Sequence, residues 1–148
     1  MGHAPGRTRR TGYPPGSAES RRFLLEQGPG AVGHCRDLTR RALRDWYALQ
    51  GPEGALAAGD VLLLVSEVVT NAYRHGGGPR ELELVRGPGR LWVRVGDAST
   101  ARPRPPARHR ADRTSGHGLY LLQRLAAEWG WTRRGDGKAV WFAVDLPG

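Results

Sequence analysis

Midway along the chain the spacing of apolar residues changes. Over 55–75 they recur at three- and four-residue steps, whereas in ELELVR (81–86) and LWVRVGD (91–97) they alternate with polar neighbours. The first spacing lines one face of a helix, the second one face of a strand. GGGP (76–79) stops the helix and GPGR (87–90) turns the strands into a hairpin, as glycine and proline do at helix ends and tight turns. A helix feeding directly into a hairpin points to a layered α/β architecture, because each element must bury its apolar side against the other.

The flanking segments extend that pattern. RRFLLEQ (21–27) reads as a short edge strand, ended by GPG (28–30). Over 31–49, Val32, Cys35, Leu38, Ala42, Leu43, Trp46 and Leu49 mark an amphipathic helix, which GPEG (51–54) breaks. Residues 99–118 carry prolines, glycines and arginines without apolar periodicity and read as a long loop. LYLLQRLAAEW (119–129) predicts a third helix, and WTRR, GDG and KAVWFAVDL close the chain with a second hairpin. The order β-α-α-β-β-loop-α-β-β favours a two-layer α/β sandwich over a doubly wound parallel sheet. Its sheet is expected to be mixed but mainly antiparallel, with the helices on one face. Residues 1–20 are polar and read as a disordered basic tail, leaving 21–148 as one domain.

The chain has 148 residues, enough for one sizeable core, and a formal charge of +9. Residues 1–22 hold five arginines and one glutamate, and 100–115 hold five arginines and one aspartate. Each segment is therefore +4, which leaves +1 for everything else. Nearly all the excess lies outside the patterned core, and no aromatic residue accompanies the arginines of 100–115, so nucleic acid is not expected as a partner. Uninterrupted apolar runs such as 61–65 are too short to span a bilayer, and no membrane partner is expected. MGHAPGRTRRTGYPPGS has no apolar stretch behind its arginines, so no secretory signal is read. A single cysteine, Cys35, excludes an internal disulfide and reads as a half-buried helix residue. The expected compartment is the reducing cytoplasm.

Within the helix over 55–75, EVVTNAYRH places Glu67, Asn71 and His75 at successive four-residue steps. With Glu67 at zero, Asn71 falls at about 40° and His75 at about 80°. Val68, Val61, Ala72, Val65, Val69 and Leu62 fill roughly 100° to 220°, the expected core face. The three polar groups flank that stripe, where a cleft would form. Such a carboxylate is suited to proton acceptance, and such an amide to Mg²⁺ shared with phosphate oxygens. Equally, Glu67 and Asn71 fit a solvated helix flank, with His75 favouring the helix dipole. Asp97 ends the second strand, either as a ligand acceptor or as a turn-initiating residue followed by Ser99. SGHG (115–118) precedes the third helix, where glycines let backbone N–H groups approach phosphate.

Together LLLVSEVVTNAYRHG, VRVGDAST, SGHGLYLLQRLAAEWGW and GKAVWFAVDLP resemble the GHKL ATPases. The nearest branch is the small anti-sigma factor serine kinases of actinobacterial type. The resemblance implies a Bergerat-type ATP-binding fold, ATP and Mg²⁺ as cofactors, and a sigma factor and an anti-anti-sigma protein as partners. It also implies that the protein acts as a homodimer. Glu67 would be the catalytic carboxylate that polarises a substrate seryl hydroxyl, and Asn71 the magnesium ligand. Asp97 would accept from the adenine amine, with His75 and Ser99 at neighbouring motif positions. Residues 99–118 would form a lid, with Gly116, His117, Gly118 and Leu119 wrapping the phosphates. His117 stands where this branch often has arginine, and Ala139 where relatives often carry a hydroxyl. Those departures leave open a second reading, a catalytically inert nucleotide-dependent protein-binding module.

Overall fold

A computed structural model describes residues 2–3, 13–14, 19–75, 77–98 and 117–147. In chain order the elements are β1 (Gly2–His3), β2 (Ser20–Leu24), α1 (Ala31–Trp46), α2 (Gly51–His75), β3 (Pro79–Gly87), β4 (Arg90–Asp97), α3 (His117–Leu125), β5 (Glu128–Arg134) and β6 (Gly137–Asp145). Five strands make the body of one sheet and the two-residue β1 extends its edge, in the order β1-β5-β6-β4-β3-β2. Every described pairing is antiparallel. The helices form one layer: α1 packs on β3, α2 on β3, β4 and β6, and α3 on β5. The protein is thus a two-layer α/β sandwich, with α2 lying across the central strands.

Three boundaries differ from the periodicity. α1 ends at Trp46 because Tyr47 takes an extended conformation, φ −135° and ψ 145°. Its hydroxyl donates to the Arg90 carbonyl at 2.9 Å and accepts from the Gly87 N–H at 3.3 Å, which ties it to the β3–β4 turn. GPEG forms the first turn of α2, where Pro52 lacks only an N–H that a helix start leaves unpaired. α3 spans His117–Leu125, so it begins two residues before the expected 119 and stops short of 129. Ala126 N–H still bonds Leu122 C=O at 3.1 Å, but Ala127 N–H already bonds Ala143 C=O across to β6 at 2.8 Å. Trp129 and Trp131, two apart, are 1% and 9% exposed. Burial of both indoles on one sheet face overrides the helical reading of Glu128 and Trp129.

The core lies between α2 and the sheet. Val61, Leu64, Val65, Val68, Val69 and Ala72 are sealed against Leu82, Leu84, Leu91, Val93, Val95 and Phe142. Leu64, at about 60° on the wheel, is fully buried, whereas Leu62, expected in the core, is half-buried. The buried arc is therefore rotated toward the polar flank, and Asn71 continues the stripe that Leu64 occupies two turns earlier. By length and mean hydropathy, 1.5, α2 passes as a membrane span. Its buried side chains, Val61, Leu64, Val65, Val68, Val69 and Ala72, pack against the sheet, whereas Leu56 and Leu63 are exposed. Cys35 is fully buried rather than half-buried.

On the opposite sheet face, Arg94 pairs with Glu83 at 2.8 Å and Glu81 at 3.3 Å, and Arg22 also reaches Glu81. Tyr13 donates to Glu83 at 2.8 Å and meets Trp141 edge-on, ring centroids 6.0 Å apart. Gly2 and His3 pair with Trp131 and Gly130, and Glu19 accepts from the Trp46 indole at 3.1 Å. The rest of the basic segment 1–20, read from sequence as a tail, lies outside the described residues.

Candidate functional site

The last two turns of α2 carry Glu67 and Asn71, both half-buried, and the helix ends at His75. Gly77 and Gly78 have φ of 73° and 103°, a left-handed pair that side chains disfavour. They reverse the chain so sharply that the Gly78 N–H bonds back to the Ala72 carbonyl at 2.9 Å. Pro79 then enters β3 directly opposite Asp97 at the end of β4. A Cβ built on Gly77 would lie 3.5 Å from the Ala98 Cβ. The C-terminal end of α2 and the exit of β4 therefore share one corner of the sandwich. Gln27 donates to the Pro79 carbonyl at 3.2 Å, and the Gly28 N–H donates to the Tyr73 hydroxyl at 2.9 Å, so the β2–α1 loop braces that corner.

Asp97 is 6% exposed, and β6 lies beside it with Lys138 in register. The Lys138 ammonium donates to both carboxylate oxygens, at 3.0 and 3.3 Å. Lys138 is also 6% exposed, so both charges sit in a dry environment where their pairing offsets lost hydration. Gly137 allows the close approach of β6, since a Cβ there would collide with the Asp97 carbonyl. Ala139 pairs with Gly96 and so faces the other side of the sheet. The residue on the Asp97 side is Lys138, and the missing hydroxyl at Ala139 does not bear on the site. Lys138 escaped the motif reading. Its signal was parity: the sole lysine shares its strand face with Val140, Phe142 and Val144.

Of the other motif residues, His117, Gly118 and Leu119 form the first turn of α3, so His117 and Gly118 belong to the helix rather than to the end of a loop. α3 packs along α2, and its last residue Leu125, with Ala126 just beyond it, lines a concavity of about 390 Å³ with Glu53, Leu56, Ala57 and Asp60 from the start of α2. Ser99, Gly116 and the loop between them lie outside the described residues. The structure thus pairs Asp97 with Lys138 and brings the C-terminal end of α2, the helix that carries Glu67 and Asn71, to the exit of β4.

No three His, Cys, Asp or Glu residues among those described converge to form a metal cage. A divalent ion at Asn71 would take its remaining ligands from water and phosphate, the coordination that Mg²⁺ favours. The Asp97–Lys138 pair is neutral overall and offers acceptor and donor positions side by side. That suits the polar edge of an uncharged heterocycle better than a second ion. The residues present fit a magnesium nucleotide on both counts.

A two-layer sandwich with this polar corner, at the end of its central helix and central strands, defines the GHKL class of ATP-binding domains. The family description of a histidine kinase-like ATPase domain matches residues 29–144, and the chain belongs to that family. The matched span contains every site residue named above. No curated protein matches the chain.

Proposed function

We propose that the protein is a cytoplasmic ATP·Mg²⁺-binding regulator of the anti-sigma serine kinase type. It sequesters a sigma factor and phosphorylates a serine of an anti-anti-sigma partner. The reading is supported by Glu67 and Asn71, one helical turn apart on the helix whose C-terminal end meets the exit of β4, and by the Asp97–Lys138 pair at that end of β4 and β6, within a family of ATP-binding domains.

Each residue then has one task. Asn71 supplies an amide oxygen to the magnesium ion, which neutralises phosphate charge when bound. Glu67 takes the proton of the seryl hydroxyl as its oxygen bonds the γ-phosphorus and ADP departs. Asp97 and Lys138 hold the base, and the backbone at His117, Gly118 and Leu119 approaches the phosphates. The arginines of 100–115 supply further positive charge.

Thermal unfolding with and without saturating ATP·Mg²⁺ tests the binding half. The wild type should gain several degrees and Asn71→Ala almost none. Transfer of labelled phosphate to a seryl partner, abolished by Glu67→Ala, tests the kinase half. ATP binding with no transfer in either protein would reduce the reading to a nucleotide-dependent protein-binding module. Absence of ATP binding would end both.

A further inference from the structure

Asp97 does not meet a ligand as a lone carboxylate. We propose that Lys138 is a specificity-determining residue of the base subsite, donating to the ring nitrogen next to the base's amine while Asp97 accepts from the amine itself. The inference rests on the nucleotide reading of the site.

An ammonium carries three N–H donors, and the two Asp97 oxygens occupy two of them, at 3.0 and 3.3 Å. The third remains to be directed at a ligand. A carboxylate has about four acceptor positions, so bonding to Lys138 does not exhaust Asp97. Both groups come from adjacent strands in register and project from the same sheet face, Asp97 opposite Lys138. Cross-strand neighbours of this kind have Cβ atoms about 5 Å apart, and their polar ends here have converged to hydrogen-bonding distance. The result is an acceptor and a charged donor held about one hydrogen bond apart. The edge of a 6-aminopurine is their complement, with an amine donor beside the acceptor nitrogen N1.

Burial gives the pairing its selectivity. The side chains of Lys138 and Asp97 are 7% and 4% exposed, so a ligand that failed to accept from Lys138 would leave a dehydrated donor unanswered. A site built around buried polar groups rejects analogues lacking the matching atom far more strongly than an apolar pocket does. The surrounding shell supports this, since Gly137 lets β6 approach the Asp97 backbone without a side chain between them.

Calorimetric titration with magnesium separates the contributions. The ligands are ATP, its 1-deaza analogue, which keeps the amine but has CH in place of N1, and purine riboside triphosphate, which keeps N1 but lacks the amine. The wild type should bind the 1-deaza analogue about tenfold or more weakly than ATP, the loss expected for one hydrogen bond to a charged group. Purine riboside triphosphate should also be weaker. In Lys138→Met the penalty for 1-deaza should vanish while the amine penalty persists. Asp97→Asn/Lys138→Met, which removes both charges of the pair, gives the same comparison if the single variant does not fold. Equal wild-type affinity for ATP and its 1-deaza analogue would overturn the proposal while leaving nucleotide binding intact. Failure of all three ligands to bind would overturn both.

Discussion

Lys138→Met should destabilise the protein without nucleotide far more than a surface lysine change would. The Nζ–Oδ distance is 3.0 Å and both side chains are more than nine-tenths buried. At an effective dielectric near 20 the Coulomb attraction is about 5 kcal/mol, before the cost of dehydrating both charges. Much of that gain offsets dehydration, so the pair's net contribution is small, but removing one partner withdraws the buried counter-charge of the other. The expected loss is about 3–5 kcal/mol for Lys138→Met or Asp97→Ala. Asp97→Asn/Lys138→Met should recover most of it and lie within about 2 kcal/mol of the wild type. Urea unfolding followed by tryptophan fluorescence reads this directly, since Trp129 and Trp141 are buried in the sheet. A single-variant loss of this size moves the midpoint by about 2 M at a typical slope. Half-molar salt should not close the gap, because the pair is shielded from solvent ions. As a control, Arg40→Ala, which breaks an exposed 2.8 Å pair with Asp37, should cost less than about 1 kcal/mol. Equal stability of Lys138→Met and wild type, or a double variant as unstable as the two singles summed, would refute the reasoning.

Other outcomes follow from the packing. Leu64→Ala should cost about 2–5 kcal/mol and Leu62→Ala markedly less in the same assay, because only Leu64 is fully buried. Tyr13→Phe should cost about 1 kcal/mol by leaving the Glu83 bond at 2.8 Å unmade, and deleting residues 1–18 should cost more by also uncovering Trp141. Burial pushes the Cys35 thiol from 9.0 up to about 11, so the unfolded chain loses its thiol proton first. The stabilisation this gives is complete below pH 9 and falls away as pH climbs toward 11. Wild type should therefore lose roughly 1–2 kcal/mol more than Cys35→Ala between pH 9 and pH 10 in urea titrations; parallel losses would show that the thiol does not titrate this way.

The local periods of the chain determined α1, α2 and both hairpins, because helix and strand spacings depend only on which residues are apolar along one segment. They also exposed Glu67, Asn71 and Asp97 as polar groups at the margins of apolar patterns. The same local signal failed where two elements compete for one residue. Glu128 and Trp129 fit a helix by spacing, yet the ladder to Ala143 and Phe142 captures them for β5. Leu62 and Leu64 are equivalent in composition, and only the tilt of α2 over β4 and β6 decides which is sealed.

Lys138 is the clearest case. Its partner Asp97 stands 41 residues away, and nothing in either neighbourhood says that β4 and β6 will be adjacent. That adjacency comes from the sheet order, and the facing of the two charges from register, since a shift of one residue would turn Lys138 to the other side. Sequence alone thus determined the elements and the polar residues that mark the site. Which of those residues meet was decided only when the strands paired, because burial and hydrogen bonding are satisfied by the assembled sheet and not by any one strand.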